Sequence, residues 1–347
     1  MAFIDFTAIV KQAWQAYDDT REIRRIVDIS AKVSTNYVYK ITFSDETFII
    51  AKLSYFGKYE HFVEDHSIIN SLSNNLAAPF ENFLARSLMK GSSLFVYRFQ
   101  NEVLDAWVVF YRPIEIKKRL PRRLDDEQII KLGEQLALFH KACSSIRNTL
   151  PASSKTLKVD VDHLLRIIET DYGKFEHRMH LDEIKRQSDL FFENREKLGA
   201  PDFEKIPVFV DWNIGNFSVT SSGKLFSRWD YDWFRISSRV MDFYFMSRVV
   251  SDIGDRTDFS YFVNPMMEDR FLLFLKAYHA EYPLTKNEIL FMKEAYRFFI
   301  LNYVIKDGRH FFHEIFATKL MREAYTIYFP SIEKDFKADK IFKALDI

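Results

Sequence analysis

One stretch restricts the fold of this chain more than any other. It reads Val208-Phe209-Val210-Asp211-Trp212-Asn213-Ile214-Gly215-Asn216-Phe217-Ser218-Val219, turns through Thr220-Ser221-Ser222-Gly223, and returns through Leu225 to Trp229 and then Asp230. A short hairpin brings its two ends side by side. Asp211 and Asn216 precede it and Asp230 follows it, so the three polar side chains are expected to meet. Phosphoryl transfer needs such a skeleton: one Asp beside an incoming hydroxyl, and an Asn and a second Asp on a metal. Mg²⁺ takes hard oxygen ligands and keeps waters and phosphate oxygens, so one carboxylate and one amide oxygen suffice. The D-x-x-x-x-N spacing alone is common; the hairpin and the second Asp give it weight.

Bulk composition leaves room for this unit inside a larger body. The 347 residues allow about two lobes, and 35 Phe within a 48% hydrophobic chain can fill their cores. Basic and acidic residues both number 49. This balance argues against a dedicated nucleic-acid binder and offers no steering toward a membrane. A single cysteine, Cys143, excludes an intrachain disulfide or a cysteine metal cluster and fits a reducing cytoplasm. The Met1–Phe6 start carries no signal-peptide pattern, and no run of about 18 uncharged apolar residues suggests a membrane span.

The remaining chain divides by periodicity. Residues 7–17 read as a helix and the segment Ile23 to Leu53 as strands, with alternation over Tyr37–Phe43 and a second strand over Thr47–Lys52. Lys52 closes that strand, where a lysine can grip phosphates or simply face solvent. His61–Leu76 reads as a helix with Ile68, Ile69, Leu72 and Leu76 on one side. Its acids, Glu64 first and Asp65 second, could reach back to Lys52; an acidic first turn is also ordinary. Leu94–Tyr97 and Trp107–Tyr111 read as strands, the second stopped by Pro113; in a two-lobed kinase Tyr111-Arg112-Pro113 would be the hinge, its backbone facing the nucleotide base. The basic run Lys117–Arg123 is cancelled by Asp125, Asp126 and Glu127 and reads as a solvated connector. Asp125 and Gln128 stand at capping-box spacing before a helix over Gln128–Ala142. In it, His140 reads as a satisfied core histidine. Residues 158–198 suggest two more helices, and 271–278, 287–307 and 310–328 carry helical periodicity. No P-loop, dinucleotide fingerprint, nucleophile elbow or H-E-x-x-H occurs.

The order is strand lysine, acidic helix, hinge, D-x-x-x-x-N, hairpin, Asp. From about residue 23 to 325 it resembles the aminoglycoside phosphotransferase and choline kinase superfamily, with its protein-kinase-like fold. Asn36-Tyr37-Val38-Tyr39-Lys40 is similar to the family's first hairpin, and Leu132 to His140 to its helix ending in Leu-His. Asp211 to Asn216 resembles its catalytic loop, Arg228 to Trp233 its metal segment, and Asp242 its structural Asp. The resemblance implies an α+β, two-lobed fold: an antiparallel-sheet lobe over 1–112 that binds ATP, and a larger helical lobe over 113–347. Asp211 would be the catalytic base, and Asn216 and Asp230 would hold Mg²⁺. Lys52 would contact the ATP phosphates, paired with Glu64 or Asp65, and Tyr111 and Pro113 would form the hinge. Asp242 would hold the catalytic loop. Asp232, Trp233, Asp252, Asp255 and His310 are candidates for the wall of a small-molecule acceptor pocket. The family usually places His-Gly before the catalytic Asp, where this chain has Phe209-Val210. That departure motivates the alternative of a nucleotide-binding pseudokinase. The acceptor, the choice of ATP or GTP and the oligomeric state stay open at this level.

Overall fold

The computed structural model describes residues 4–252 and 259–347. Its first half is built on a five-stranded antiparallel sheet of order β1-β2-β3-β7-β6. The strands are β1 Ile23–Asp28, β2 Tyr37–Phe43, β3 Phe48–Ser54, β6 Val96–Gln100 and β7 Asp105–Tyr111, with a two-residue pair, β4 Met89–Lys90 and β5 Ser93–Leu94, beside them. The strand expected at 94–97 thus starts two residues later. The alternation of β7 explains the layering. Ala106, Val108 and Phe110 join one core with Ile49, Ala51 and Leu53 of β3. Helix α1 Phe6–Tyr17 covers that face with Ile9, Val10, Ala13 and Trp14, and Asp5 caps it by accepting from the Ala8 N–H. Val109 and Tyr111 point the other way, into the large core. Lys52 sits opposite Val109 and Val38 in the register and shares their face.

Helix α2 Tyr59–Asn75 packs Ile68, Ile69 and Leu72 into that same large core. The remainder is helical: α3 Asp126–Ile146, α4 Leu157–Ile167, α5 Asp171–Glu176, α6 Leu181–Lys197, α7 Phe243–Val250, α8 Asp269–Glu281, α9 Lys286–Phe299, α10 Gly308–Phe311, α11 Glu314–Glu323, α12 Phe329–Asp335 and α13 Ala338–Leu345. The capping box of α3 forms as its sequence suggests: Asp125 accepts from the Gln128 N–H, and the Gln128 side chain accepts from the Asp125 N–H. Gly133 lets α3 approach α8 closely, since a Cβ there would lie 2.5 Å from the Phe274 carbonyl. Residues 158–198 form three helices, not two. The helix read over 287–307 ends in a π-helical turn at Ile300–Lys306, and a break at 312–313 divides the one read over 310–328. Among the described residues no helix is long and apolar enough to cross a membrane.

Between α6 and α7 lies a nested β unit. Strand β8 Ile206–Val208 pairs antiparallel with β11 Arg235–Ser237, and inside this pair β9 Phe217–Val219 forms a hairpin with β10 Leu225–Arg228. Three-residue strands leave too little pattern to be read from sequence, so β8 and β11 emerge only here.

Candidate active site

The nested unit dictates the geometry. Segments 209–216 and 229–234 are the two connections between its outer and inner strand pairs, so they must run side by side. The Trp229 N–H donates to the Asn216 carbonyl at 3.0 Å across them. The Asn216 amide nitrogen donates to Asp211 Oδ2 at 3.1 Å, which leaves its amide oxygen as the end a cation would meet. Asp211 also accepts from the Asn213 N–H at 3.1 Å. Two residues of these segments adopt left-handed backbone, Val210 (φ 61°) and Asp230 (φ 67°). These reversals immediately precede Asp211 and occur at Asp230, the type of local strain found at functional sites.

Asp242 holds the first segment from beneath. Its Oδ1 accepts from the N–H groups of Phe209 (3.0 Å) and Val210 (2.7 Å), and its Oδ2 from His140 Nε2 (2.9 Å). Tyr278 in turn meets His140 Nδ1 at 2.8 Å. Burial holds the His140 pKa below its ordinary value against the pull of Asp242, so a neutral ring that donates through Nε2 and accepts at Nδ1 fits this chain of bonds. His140 is thus the satisfied core histidine expected, and Asp242 braces the loop.

Lys52 crosses from the sheet to the second segment. Its Nζ lies 2.8 Å from Asp230 Oδ1 and 2.5 Å from Asp232 Oδ1, and the Asn36 amide donates to Asp232 Oδ2 at 2.8 Å. Burial would depress the Lys52 ammonium, but the two carboxylates raise its pKa overall. Burial also works against ionised Asp230, yet Lys52 holds its pKa below the usual carboxylate range. Asp232 is pushed up by burial and by Asp230, against the pull of Lys52. The two acids therefore already surround a cation. The Asp230 carboxylate and the Asn216 amide oxygen are hard-oxygen donors of the kind Mg²⁺ takes. Among the described residues no three His, Cys, Asp or Glu side chains could hold a metal together.

The expected pairing of Lys52 with α2 is not what forms. Glu64 instead accepts from the Ser153 hydroxyl and the Ser154 N–H, each at 2.8 Å. Asp65 pairs with Lys155, whose ammonium also donates to the Phe234 carbonyl at 2.9 Å. Geometry is the reason: both acids face the 153–155 loop of the helical part, and Asp230 and Asp232 reach Lys52 first. Burial raises Asp65 to about 6 despite Lys155. Tyr111 ends β7, its hydroxyl bonded to His66 of α2, and the Arg112 N–H donates to the Arg86 carbonyl at 2.9 Å before Pro113 ends the pairing.

The pocket-wall candidates scatter. Asp232 is in the site. Trp233 is 5% exposed and stacks on Tyr303 at 4.7 Å among Phe245, Phe299 and Phe311, so it fills the core. Asp252 pairs with Arg123 at 2.8 Å near the start of α3 and, among the described residues, bonds to no segment of the site. Asp255 lies outside the described residues. His310 stacks on Phe56 at 5.5 Å, and its carbonyl accepts from the Thr35 hydroxyl. Sequence reading missed a buried charge ladder beside Lys155: Arg235 and Lys306 both meet Asp160, at 2.6 and 3.1 Å. It also missed Arg228, read only as part of a motif. An arginine closing the apolar run Leu225-Phe226-Ser227 was the one available signal.

No model of a protein family matches this sequence, and no curated protein does. Solved structures do. Amicoumacin kinase hAmiN, in complex with AMP-PNP, Ca²⁺ and Ami, is similar over 97% of both chains at 12% identity and a TM-score of 0.63. A microcompartment-associated aminopropanol kinase is similar over 92% of this chain and 94% of its own, at 17% identity and a TM-score of 0.60. The GDP complex of aminoglycoside 2'-phosphotransferase-IIIa covers 96% of this chain and all of its own, at 12% identity and a TM-score of 0.57. The chain has the aminoglycoside-phosphotransferase fold. It has this fold with two lobes, a sheet-built one and a helical one, and with the nested β unit of the helical lobe facing Lys52 of the sheet lobe.

Proposed function

We propose that this chain is an ATP- and Mg²⁺-dependent phosphotransferase that moves the γ-phosphoryl group to a hydroxyl of a small molecule. An aminoglycoside, an amino alcohol, a homoserine-like compound or a sugar would suit. The observation that carries the reading is the convergence of Asp211, Asn216, Asp230 and Lys52 through the nested β unit. Residues 1–112 form the nucleotide lobe in this reading, with Tyr111 and Pro113 at the hinge, and 113–347 the acceptor lobe. The chain works in the cytoplasm. The kinases and phosphotransferases of the same fold, solved with AMP-PNP or GDP, support nucleotide binding.

Asp211 accepts the proton of the acceptor hydroxyl and aligns its oxygen for attack. Lys52 leaves Asp232 to bind phosphate oxygens. Asn216 and Asp230 would hold Mg²⁺, which would supply neutralisation of the charge developing on the phosphates. Positioning supplies most of the rate.

The test pairs a turnover screen over small alcohols and aminoglycosides with two variants. Asp211→Ala should leave Mg²⁺-AMP-PNP affinity nearly unchanged and cut kcat by about 10²–10⁴-fold. Asp230→Ala should weaken metal–nucleotide binding itself. A wild type that binds no nucleotide would end the proposal. Phe209-Val210 in place of His-Gly keeps a second reading in view, a nucleotide-binding pseudokinase. Tight Mg²⁺-AMP-PNP binding with no transfer to any acceptor would favour it.

A further inference from the structure

Arg228 is the most unusual side chain in the nested unit. It closes β10 two residues before Asp230, and its residue exposure is 0%. Its backbone is fixed on three sides: the N–H donates to the Phe83 carbonyl (2.6 Å), and the carbonyl accepts from the Ala85 N–H (2.9 Å) and the Tyr231 hydroxyl (3.1 Å). The guanidinium lies between two rings, 4.4 Å from Phe209 and 4.3 Å from Trp212. Nη2 donates to the Asp211 carbonyl at 2.9 Å. Nε and Nη1 are buried and have no hydrogen-bond partner among the described residues. Burial holds the Arg228 pKa below its ordinary value, against the pull of Asp211, Asp242 and Asp230, which favour the charged form.

A leucine or methionine could fill this space without burying a charge or leaving N–H groups unpaired. Buried charges are costly, and unpaired buried donors are rare. What the arginine adds is its grip on the 209–216 segment. Asp242 takes the Phe209 and Val210 N–H groups from one side. Arg228 takes the Asp211 carbonyl from the other and stacks on the rings that flank Asp211 in sequence. The Asn216 amide reaches the same carbonyl at 3.4 Å. A single planar cation thus ties together Phe209, Asp211 and Trp212, at the place where the usual His-Gly is absent.

We infer that Arg228 is a positioning residue for phosphoryl transfer, a buried cationic clamp that fixes the Asp211 loop from the strand leading to Asp230. The inference rests on the phosphotransferase reading for its consequence, but the clamp can be tested without it.

Hydrogen–deuterium exchange supplies that independent measurement. The loop amides are bonded within the loop, Asp211 to the Phe209 carbonyl, Trp212 to that of Val210 and Asn216 to that of Asn213. Loosening the loop exposes them. In Arg228→Met, amides 211–216 should exchange at least about tenfold faster, while α3 and α8 keep wild-type rates. Affinity for Mg²⁺-AMP-PNP should stay within about threefold. Turnover of the acceptor found in the screen should lose about 10–10² in kcat with little change in nucleotide KM. Arg228→Lys keeps the charge and one donor, and should recover part of both losses. It also serves if the Met variant fails to fold.

Unchanged loop exchange in Arg228→Met, or in Arg228→Lys where the Met variant does not fold, would overturn the clamp. Loss spread evenly over α3, α8 and the loop, with no recovery in the Lys variant, would also overturn it by showing general unfolding. A wild type inactive with every acceptor sinks the phosphotransferase reading, yet the exchange measurement still decides the clamp.

Discussion

Val210 carries the clearest residue-scale conflict in the site. A β-branched residue at φ 61° is a steric outlier, because its Cβ crowds the following carbonyl. Glycine would remove that strain, about 1–2 kcal/mol. Yet Val210 is only 2% exposed, and losing its side chain from the core costs about 1.5–3 kcal/mol. Glycine's extra freedom in the unfolded chain adds about 0.5–1 kcal/mol. Burial and entropy outweigh strain, so Val210→Gly should destabilise the protein by about 1–2 kcal/mol in urea unfolding. A stabilised variant would show that strain outweighs burial instead. Position 210 was legible in sequence as a departure from His-Gly. That it retains the left-handed backbone a glycine would favour could not be read, because nothing in a sequence prints φ.

At the scale of elements, α2 shows where pattern ends and tertiary context begins. Its apolar side was readable, since Ile68, Ile69 and Leu72 recur at helical spacing and all enter the large core. The partners of its polar side chains were not. Spacing places Glu64 and Asp65 on the helix but does not say that the 153–155 loop reaches them before Lys52 does. The same holds for the β8–β11 pair, too short to show alternation, and for the π-helical turn at Ile300–Lys306. By contrast, Asp125 and Gln128 needed only each other, and their capping box was legible. The contact between α2 and the end of β7 has a pH signature. His66, buried against Tyr111, is depressed to about 3 by burial, with Lys52 and Lys155 adding to the effect. Unfolded, it titrates near 6.5. Below that pH the unfolded chain takes up a proton that the folded one refuses. Stability then falls as pH drops, by about 1.4 kcal/mol per unit, until the folded pKa is reached. Above about 6.5 the group contributes nothing. His66→Gln lacks this proton. Its stability relative to wild type should therefore rise by about 3 kcal/mol between pH 7 and pH 4 in denaturant titrations. Parallel pH profiles would refute the assignment.

For the whole molecule, the two lobes meet through a strap beside Lys52 and Asp232. Residues 33–36, between β1 and β2, pair with the 310–313 corner of the helical lobe. The Thr35 N–H donates to the Phe311 carbonyl at 3.3 Å, the His313 N–H to the Val33 carbonyl at 3.2 Å, and Ser34 bridges Phe312. Two further backbone donors of this loop are already used: Ser34 to the Ala31 carbonyl and Asn36 to the Ser34 hydroxyl. Lys52 is likewise engaged by Asp230 and Asp232. A nucleotide whose phosphates need these groups must first loosen the strap, and the fraction of molecules already loosened scales its apparent affinity. Asn36 is the side chain that ties the loop to Asp232. A hydrogen bond to a charged group contributes about 1.5–3 kcal/mol, and the lower end applies because Lys52 keeps Asp232 satisfied. Asn36→Ala should therefore tighten Mg²⁺-AMP-PNP binding by up to about tenfold, through faster association in stopped-flow measurements with a nearly constant dissociation rate. Weaker binding in the variant would mean that Asn36 serves the bound state. Unchanged association would mean that nucleotide enters with the strap in place.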